Sequence, residues 1–192
     1  MYKQYLFPMS MFLILEKASV LFWGSKTLVP NHYIVLLNSK WFYILNQIFK
    51  NELFFSSSLL IENTAIDSRF FNKCSTELNT FFKKNKLIAH YSYYFLLTKI
   101  RLTILVNLKN DYKHYINSID KIYKNANWLE RETSEMYGLL YYWKSDTRKL
   151  LLDYAKMENP MLKDFPCEGI QDVFYNFFEN QVVVQKNEVV EL

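Results

Sequence analysis

The sequence predicts an α+β fold: a mostly antiparallel sheet with packed helices, followed by an irregular C-terminal arm. Three observations predict it. A short apolar run at residues 33–37 is followed at once by apolar residues at helical spacing, and residues 100–106 alternate apolar and polar with a period of two. Past residue 138, Pro160, Pro166 and Gly169 interrupt every long period while aromatic residues persist. With 192 residues, the chain is one domain of ordinary size plus appended segments. Its 51% of apolar and 22% of charged residues are a balance that buries a core, which excludes a disordered chain.

Residues 1–28 read as an N-terminal extension. Their longest unbroken apolar run, Met11 to Leu15, ends at Glu16-Lys17, far short of the ~20 residues a membrane helix needs. No Arg occurs in the first 25 residues, unlike an Arg-rich transit peptide. A core domain is expected over 29–138. Tyr33 to Leu37 suits a buried strand, Asn38 or Ser39 caps the next segment, and Trp41, Ile44, Leu45, Ile48 and Phe49 recur there as one face of an amphipathic helix. Ser57 to Ile66 resumes a strand. Asp67 to Lys86 is polar, with Phe70-Phe71 and Phe81-Phe82 as isolated anchors, and reads as a long connection or partial helix. Leu87 to Leu97 and Ile100 to Val106 form an antiparallel hairpin, with Ile100, Leu102, Ile104 and Val106 on its buried face and Arg101 and Thr103 opposite. Asn110 or Asp111 is expected to cap a helix through Tyr115, Ile119, Ile122, Ala126 and Leu129 that ends near Gly138.

Residues 139–192 are expected to be an extended partner-binding arm. Phe165, Phe174, Tyr175, Phe177 and Phe178 keep it adhesive, and Asp172 to Tyr175 with Gln181 to Val184 alternate as a small hairpin would. So small a domain has little spare surface to cover such a segment, so it is expected to lie across another chain rather than fold back.

Several chemistries are excluded by inventory. Three dispersed glycines (Gly24, Gly138, Gly169) provide nothing from which to build a Walker or dinucleotide phosphate cradle. Cys74 and Cys167 lie far apart, and His32, His90 and His114 are scattered, so no zinc or iron–sulfur ligand set is expected and no histidine is assigned a catalytic role. Net charge divides unevenly: +8 over residues 1–113, +1 over 114–157 and −5 over 158–192. The basic part with its Tyr and Phe suits RNA, but its lysines are spread singly apart from Lys83-Lys84-Asn85-Lys86, and a solvated face is the better reading. Nineteen Lys against four Arg, with seventeen Asn and thirteen Ile, point to AT-rich codons and so to an organellar genome or an AT-rich organism.

The most informative stretch is 126–138. Three consecutive charges on a helix spread over about 200°, so Glu130, Arg131 and Glu132 cannot share one solvent stripe when Trp128, Leu129, Met136 and Tyr137 surround them. At least one charge is expected to face packed surface and need a partner. Arg131 and Glu135 are spaced for an i,i+4 pair. Glu132 and Glu135 share a face, but the E-x-x-H partners of a carboxylate metal site are absent, as is any nucleophile for acid–base chemistry.

Glu130-Arg131-Glu132, two residues, Glu135, Met136-Tyr137, six residues, Lys144, three residues, Arg148, one residue, then Leu150-Leu151 closely resembles the signature of the thirty-kilodalton subunit family of respiratory complex I, numbered 9 in mitochondria and lettered C in bacteria. The likeness continues through Asp153-Tyr154 and residues 160–166, and more faintly through 173–175 and 182–183. Residues 144–149 (Lys-Ser-Asp-Thr-Arg-Lys) depart from the family's His-Pro-Asp-Leu-Arg-Arg, and residues 1–28 show no counterpart.

The resemblance implies a cofactor-free, non-catalytic subunit of the proton-translocating NADH:ubiquinone reductase. Flavin and iron–sulfur clusters would reside in partner subunits, and the forty-nine-kilodalton quinone-reactive subunit would be the chief neighbour. Neither nucleic acid nor a membrane-spanning segment is implied. The location implied is the matrix side of the mitochondrial inner membrane, peripherally bound, with mitochondrial encoding. Its interface residues would be Trp128, Glu130, Arg131, Glu132, Glu135, Arg148, Lys163, Asp164, Phe165 and Pro166. The alternative, resting on the basic N-terminal part, is an organellar RNA-binding or ribosomal protein.

Overall fold

The computed structural model describes residues 21–23, 32–51, 57–69, 87–108, 115–154 and 158–187. Its main sheet has five strands: β1 (Leu21–Trp23), β2 (His32–Asn38), β3 (Ser58–Asp67), β4 (Leu87–Phe95) and β5 (Ile100–Asn107), in the order β1-β2-β5-β4-β3. All neighbours are antiparallel except β2 and β5, which run parallel with His32 opposite Arg101 and Asn38 opposite Asn107. The sheet is thus mixed but mostly antiparallel, as the alternation in β5 implies.

Helix α1 (Ser39–Asn51) follows β2 directly and packs on it and on β5, burying Phe42, Leu45 and Phe49. Those three positions recur at three and four residues, which places them on one stripe; it is turned from the expected face, so that Phe42 is buried while Trp41 and Ile44 are exposed and Ile48 only half-buried. They meet a row of rings on β4: Phe42 packs 4.3 Å from Tyr91, and Phe49 meets Phe95 edge-on at 5.3 Å. Val35, Leu37, Leu102, Ile104 and Val106 complete that face. Each such side chain, fully buried, contributes roughly 1.5–3 kcal/mol. Two of the polar side chains that enter are paired: the Tyr93 hydroxyl donates to Asn46 Oδ1 at 2.7 Å, and Asn46 Nδ2 donates to the Phe42 carbonyl at 2.8 Å.

A bulge between Leu60 and Glu62 shifts the alternation of β3 by one residue. Leu60 before it and Asn63, Ala65 and Asp67 after it are therefore all buried, and Asn63 and Asp67 bring polar groups to the side where the second helix packs.

The helix expected from 110 to 138 is shorter than the sequence suggests. Residues Tyr115–Asn117 form β6, turns occupy 118–125, and α2 runs only over Ala126–Tyr137. Of the residues expected on the buried face, Ile119 and Ala126 are fully buried and Tyr115, Ile122 and Leu129 only partly so, while Ile116 and Tyr123, outside that expected set, are core residues reached from a strand and turns. Strand β6 pairs in parallel with β7 (Leu140–Tyr142), and the Ser118 amide donates to the Tyr142 carbonyl at 2.9 Å, contacts that an unbroken helix would forbid. Asn125 precedes α2 without capping it and donates instead to the Leu60 carbonyl at 2.6 Å. The far end does match: Gly138 takes a left-handed conformation (φ +73°), and a Cβ there would lie 3.0 Å from Asn159. Asn110, Asp111 and most of the 67–86 connection lie outside the described residues.

Leu139 is fully buried, so the chain still contributes to the core as it enters the region expected to be an arm. The arm ends in a hairpin of β8 (Gln171–Asn176) and β9 (Gln181–Lys186).

Candidate partner interface

Helix α2 holds the segment 144–152 by charge. Glu130 is completely buried, and its partner Lys144 keeps only 2% of its side chain exposed. Lys144 Nζ donates to Glu130 Oε2 and to the Asn127 carbonyl, both at 3.0 Å. The same carboxylate accepts the Ser118 hydroxyl at 2.6 Å and the Ile119 amide at 2.8 Å, so both of its oxygens are satisfied. Burial pushes the Glu130 carboxyl above its ordinary range, and the amide, hydroxyl and ammonium draw it part of the way back. This is the inward-facing charge that the triple requires.

Arg131 points the other way along the same segment. Its Nε donates to the Arg148 carbonyl at 2.8 Å, a second nitrogen reaches the Lys149 carbonyl at 3.2 Å, and Asp146 lies 3.4 Å away. The expected Arg131–Glu135 pair is replaced by these contacts because Glu135 has a different task. Its carboxylate accepts the amides of Leu150 at 2.9 Å and Leu151 at 3.0 Å, together with that of Leu152. Burial opposes its ionisation, yet these three amides hold it below the ordinary carboxylate range. Asp120 makes a similar bond pair, to the amide and hydroxyl of Ser145 at 3.1 and 2.8 Å, and against the cost of burial it too is held low.

A cleft of about 610 Å³ remains between α2 and this segment, bordered by Arg131, Glu135, Tyr141, Lys144, Arg148 and Asn159. Trp128 and Glu132 are exposed on the outer side of the helix, with Trp128 64% accessible and its ring 6.0 Å from the Arg131 guanidinium carbon. Arg148 is exposed and pairs with Asp146 at 2.8 Å, which keeps the Asp146 carboxyl well below the usual range.

Further along, Asp67 at the end of β3 draws the chain back: its carboxylate accepts the Lys163 amide at 3.1 Å and pairs with Arg69, which also meets Asp164. Burial alone would raise the Asp67 carboxyl, but Arg69 and the Lys163 amide hold it low. Phe165 is half-buried and its amide donates to the Leu162 carbonyl at 3.0 Å; the Pro166 carbonyl accepts the Gly169 amide at 3.0 Å. Past this point large apolar side chains lie open, including Phe174, Tyr175, Phe177 and Phe178, the last 99% exposed. Among the described residues, no group of three or more His, Cys, Asp or Glu is arranged to hold a metal, and no helix is long and apolar enough to cross a membrane.

Residues 37–171 match the model of the family described as respiratory-chain NADH dehydrogenase, 30 Kd subunit. The chain belongs to this family. Subunit 9 of the NADH-ubiquinone oxidoreductase of Paramecium primaurelia is 38% identical over 97% of this chain and 87% of its own length. That alignment reaches into residues 1–28, for which the sequence by itself offers no counterpart. The C-lettered bacterial counterpart, from the NADH-quinone oxidoreductase of Parvibaculum lavamentivorans, is 37% identical over 48% of this chain and 44% of its own. Among solved structures, a chain of an archaeal membrane-bound sulfane sulfur reductase superposes with a TM-score of 0.61 at 16% identity, covering 83% of this chain and 85% of that one. The trypsin-resistant fragment 1–134 of Nqo5 gives 0.53 at 15%, covering 71% and 98%. Both likenesses bear on the fold, which is α+β with a mostly antiparallel sheet.

Within this thirty-kilodalton family member, the structure divides the ten residues singled out by sequence. Glu130, Arg131 and Glu135 are turned onto the chain's own 144–152 segment, whereas Trp128, Glu132, Arg148, Lys163 and Asp164 are exposed and Phe165 and Pro166 half-buried. Lys144, Asp120, Ser145 and Asp146 are the residues sequence reasoning overlooked. Lys144 stands in the quoted motif, but it lies fourteen residues from Glu130, and helical spacing nominates partners only three or four apart.

Proposed function

We propose that the chain is a cofactor-free subunit of the peripheral arm of respiratory complex I, on the matrix side of the mitochondrial inner membrane. It scaffolds the quinone-reactive forty-nine-kilodalton subunit and supports NADH-to-ubiquinone electron transfer without a redox step of its own. The observation that carries this reading is the contrast along the C-terminal third. Charges on α2 fasten residues 144–152 to the chain itself, and the aromatic surface beyond Phe165 is left bare. Covering such a surface takes another chain. A fixed helix with a satisfied ion pair provides the rigid base from which an adhesive segment can reach a neighbour in one orientation.

The test is copurification of the tagged full-length chain from mitochondria. The expected result is that NADH:quinone reductase subunits accompany it, that alkaline carbonate releases it from the membrane, and that its depletion lowers NADH:ubiquinone activity while NADH oxidation by an artificial acceptor at the flavin persists. Recovery with ribosomal RNA, or loss of both activities in equal measure from an otherwise assembled complex, overturns the proposal.

A further inference from the structure

We infer that one face of the β8–β9 hairpin, carrying Val173, Tyr175, Val182 and Val184, docks on a protein surface that presents an apolar strip rimmed by lysines. The inference rests on the proposed function and adds the side that makes contact and the chemistry it meets. Val173 stands opposite Val184 and Tyr175 opposite Val182, so the four side chains project from the same side of the two-stranded sheet. All four are exposed, and Phe177 extends the strip by meeting Tyr175 edge-on at 5.1 Å. The opposite side is different. There Phe174 and Val183 lie between Asp172 and Gln185 on one flank and Asn176 and Gln181 on the other.

Nothing polar interrupts the centre of the first face, and charge-depleted centres of this kind mark the buried middle of protein interfaces. The hairpin's own bonds run within 168–187: Asn187 ties to the Ile170 carbonyl, Asn176 to the Phe178 amide, and Gln181 to Glu179. Among the described residues its hydrogen bonds stay within 168–187, and a two-stranded hairpin so held is marginal in water, so its persistence calls for a covering surface.

Charge selects the kind of cover. Glu168 before β8 and Glu179 in the turn outnumber Lys186 at the ends of the strip, within a segment, 158–192, of net charge −5. A second copy would bring like charge against like, and an anionic lipid surface would do the same; a protein with a lysine rim is the complementary partner.

The experiment uses the intact assembly that contains this chain, treated with a zero-length carbodiimide that joins carboxylates to lysines. The expected product links Glu168 or Glu179 to a lysine of a different subunit; links confined to this chain, to a second copy, to Asp172 alone, or absent overturn the inference. In parallel, V182D/V184D is expected to lower the amount of chain retained in the complex roughly tenfold, with the melting temperature of the free chain unchanged and with Q185D on the opposite face retained normally. Retention of V182D/V184D at the wild-type level overturns the inference, and so does a drop in melting temperature, which would mean that the face packs on its own domain. A chain that purifies with an assembly other than NADH:quinone reductase defeats the proposed function alone, and the same crosslinks then decide the docking face there.

Discussion

Residues 144–152 and 171–186 both follow the second helix, and neither belongs to the main sheet, yet they are held by opposite means. The first segment has almost no apolar attachment of its own and is fixed by Lys144 against buried Glu130, by Ser145 against Asp120, by three successive amides against Glu135, and by carbonyls that receive Arg131. The second is rich in apolar side chains and pairs its backbone only across one hairpin among the described residues, with its large residues open to solvent. Polar attachment needs groups in set directions and is complete within this chain. Apolar attachment needs only area, and the described residues leave that of the hairpin uncovered.

The comparison is broken most sharply at Lys144. Lys144→Met leaves the Glu130 carboxylate buried without its cation and is expected to cost about 3–5 kcal/mol in thermal or urea unfolding of the free chain. Adding Glu130→Leu should recover part of that, since the unpaired charge disappears, though the Ile119 amide and Ser118 hydroxyl lose their acceptor. An additive double mutant would mean that the two side chains act independently. Arg131→Leu comes next. Losing two charged bonds to carbonyls should cost about 2–3 kcal/mol and deplete assembled complex and NADH:quinone reductase activity in parallel; normal assembly with slowed turnover would assign it to the chemistry instead.

Much of the fold was legible because it follows from periodicity: β2 with α1, and the β4–β5 hairpin, fall where alternation and helical spacing place them. The region 110–125 was not, because Tyr115, Ile119 and Ile122 are spaced like a helix while their backbone serves a strand and turns whose partner, β7, lies more than twenty residues further on. The charged triple was legible as a conflict between Glu130 and solvent. Its resolution through Lys144 was not, since a pairing fourteen residues apart depends on the path of the chain between them.

A third change sharpens the contrast. Glu135→Ala removes the acceptor for the amides of 150–152 and should cost about 1–3 kcal/mol, seen most directly as faster hydrogen exchange at those amides with little change in the sheet. Acid tests the same attachment. Asp67, Asp120 and Glu135 are held low, so the stability they give is fully present above the ordinary carboxylate value of about 4 and is lost as pH falls through their lower folded-state values. Glu130 is raised and has the opposite sign: stability increases as pH falls through its folded-state value towards the ordinary one. Acid unfolding should therefore begin below about pH 4, and Glu135→Gln should flatten its slope; an unchanged slope would mean that the amides of 150–152 do not depend on the charge. The smallest effect is expected at the hairpin tip. Phe178→Ser should move the free chain's stability by less than about 0.5 kcal/mol, and a larger loss would show that the tip is covered by its own domain.

The parallel pairing of β2 with β5 sets an order of events during synthesis. Each residue of β2 meets its partner sixty-nine positions later, as His32 does Arg101, whereas β4 and β5 are joined by a tight turn. At roughly 5–20 residues per second, β2 and the apolar stripe of α1 wait several seconds beside the ribosome before the strand that covers them emerges. The β4–β5 hairpin can form alone, but the centre of the sheet closes only when the chain's beginning finds its middle, which makes this a slow-folding topology for its size. Whatever shields β2 and α1 in that interval governs how much of the protein ever reaches its assembly.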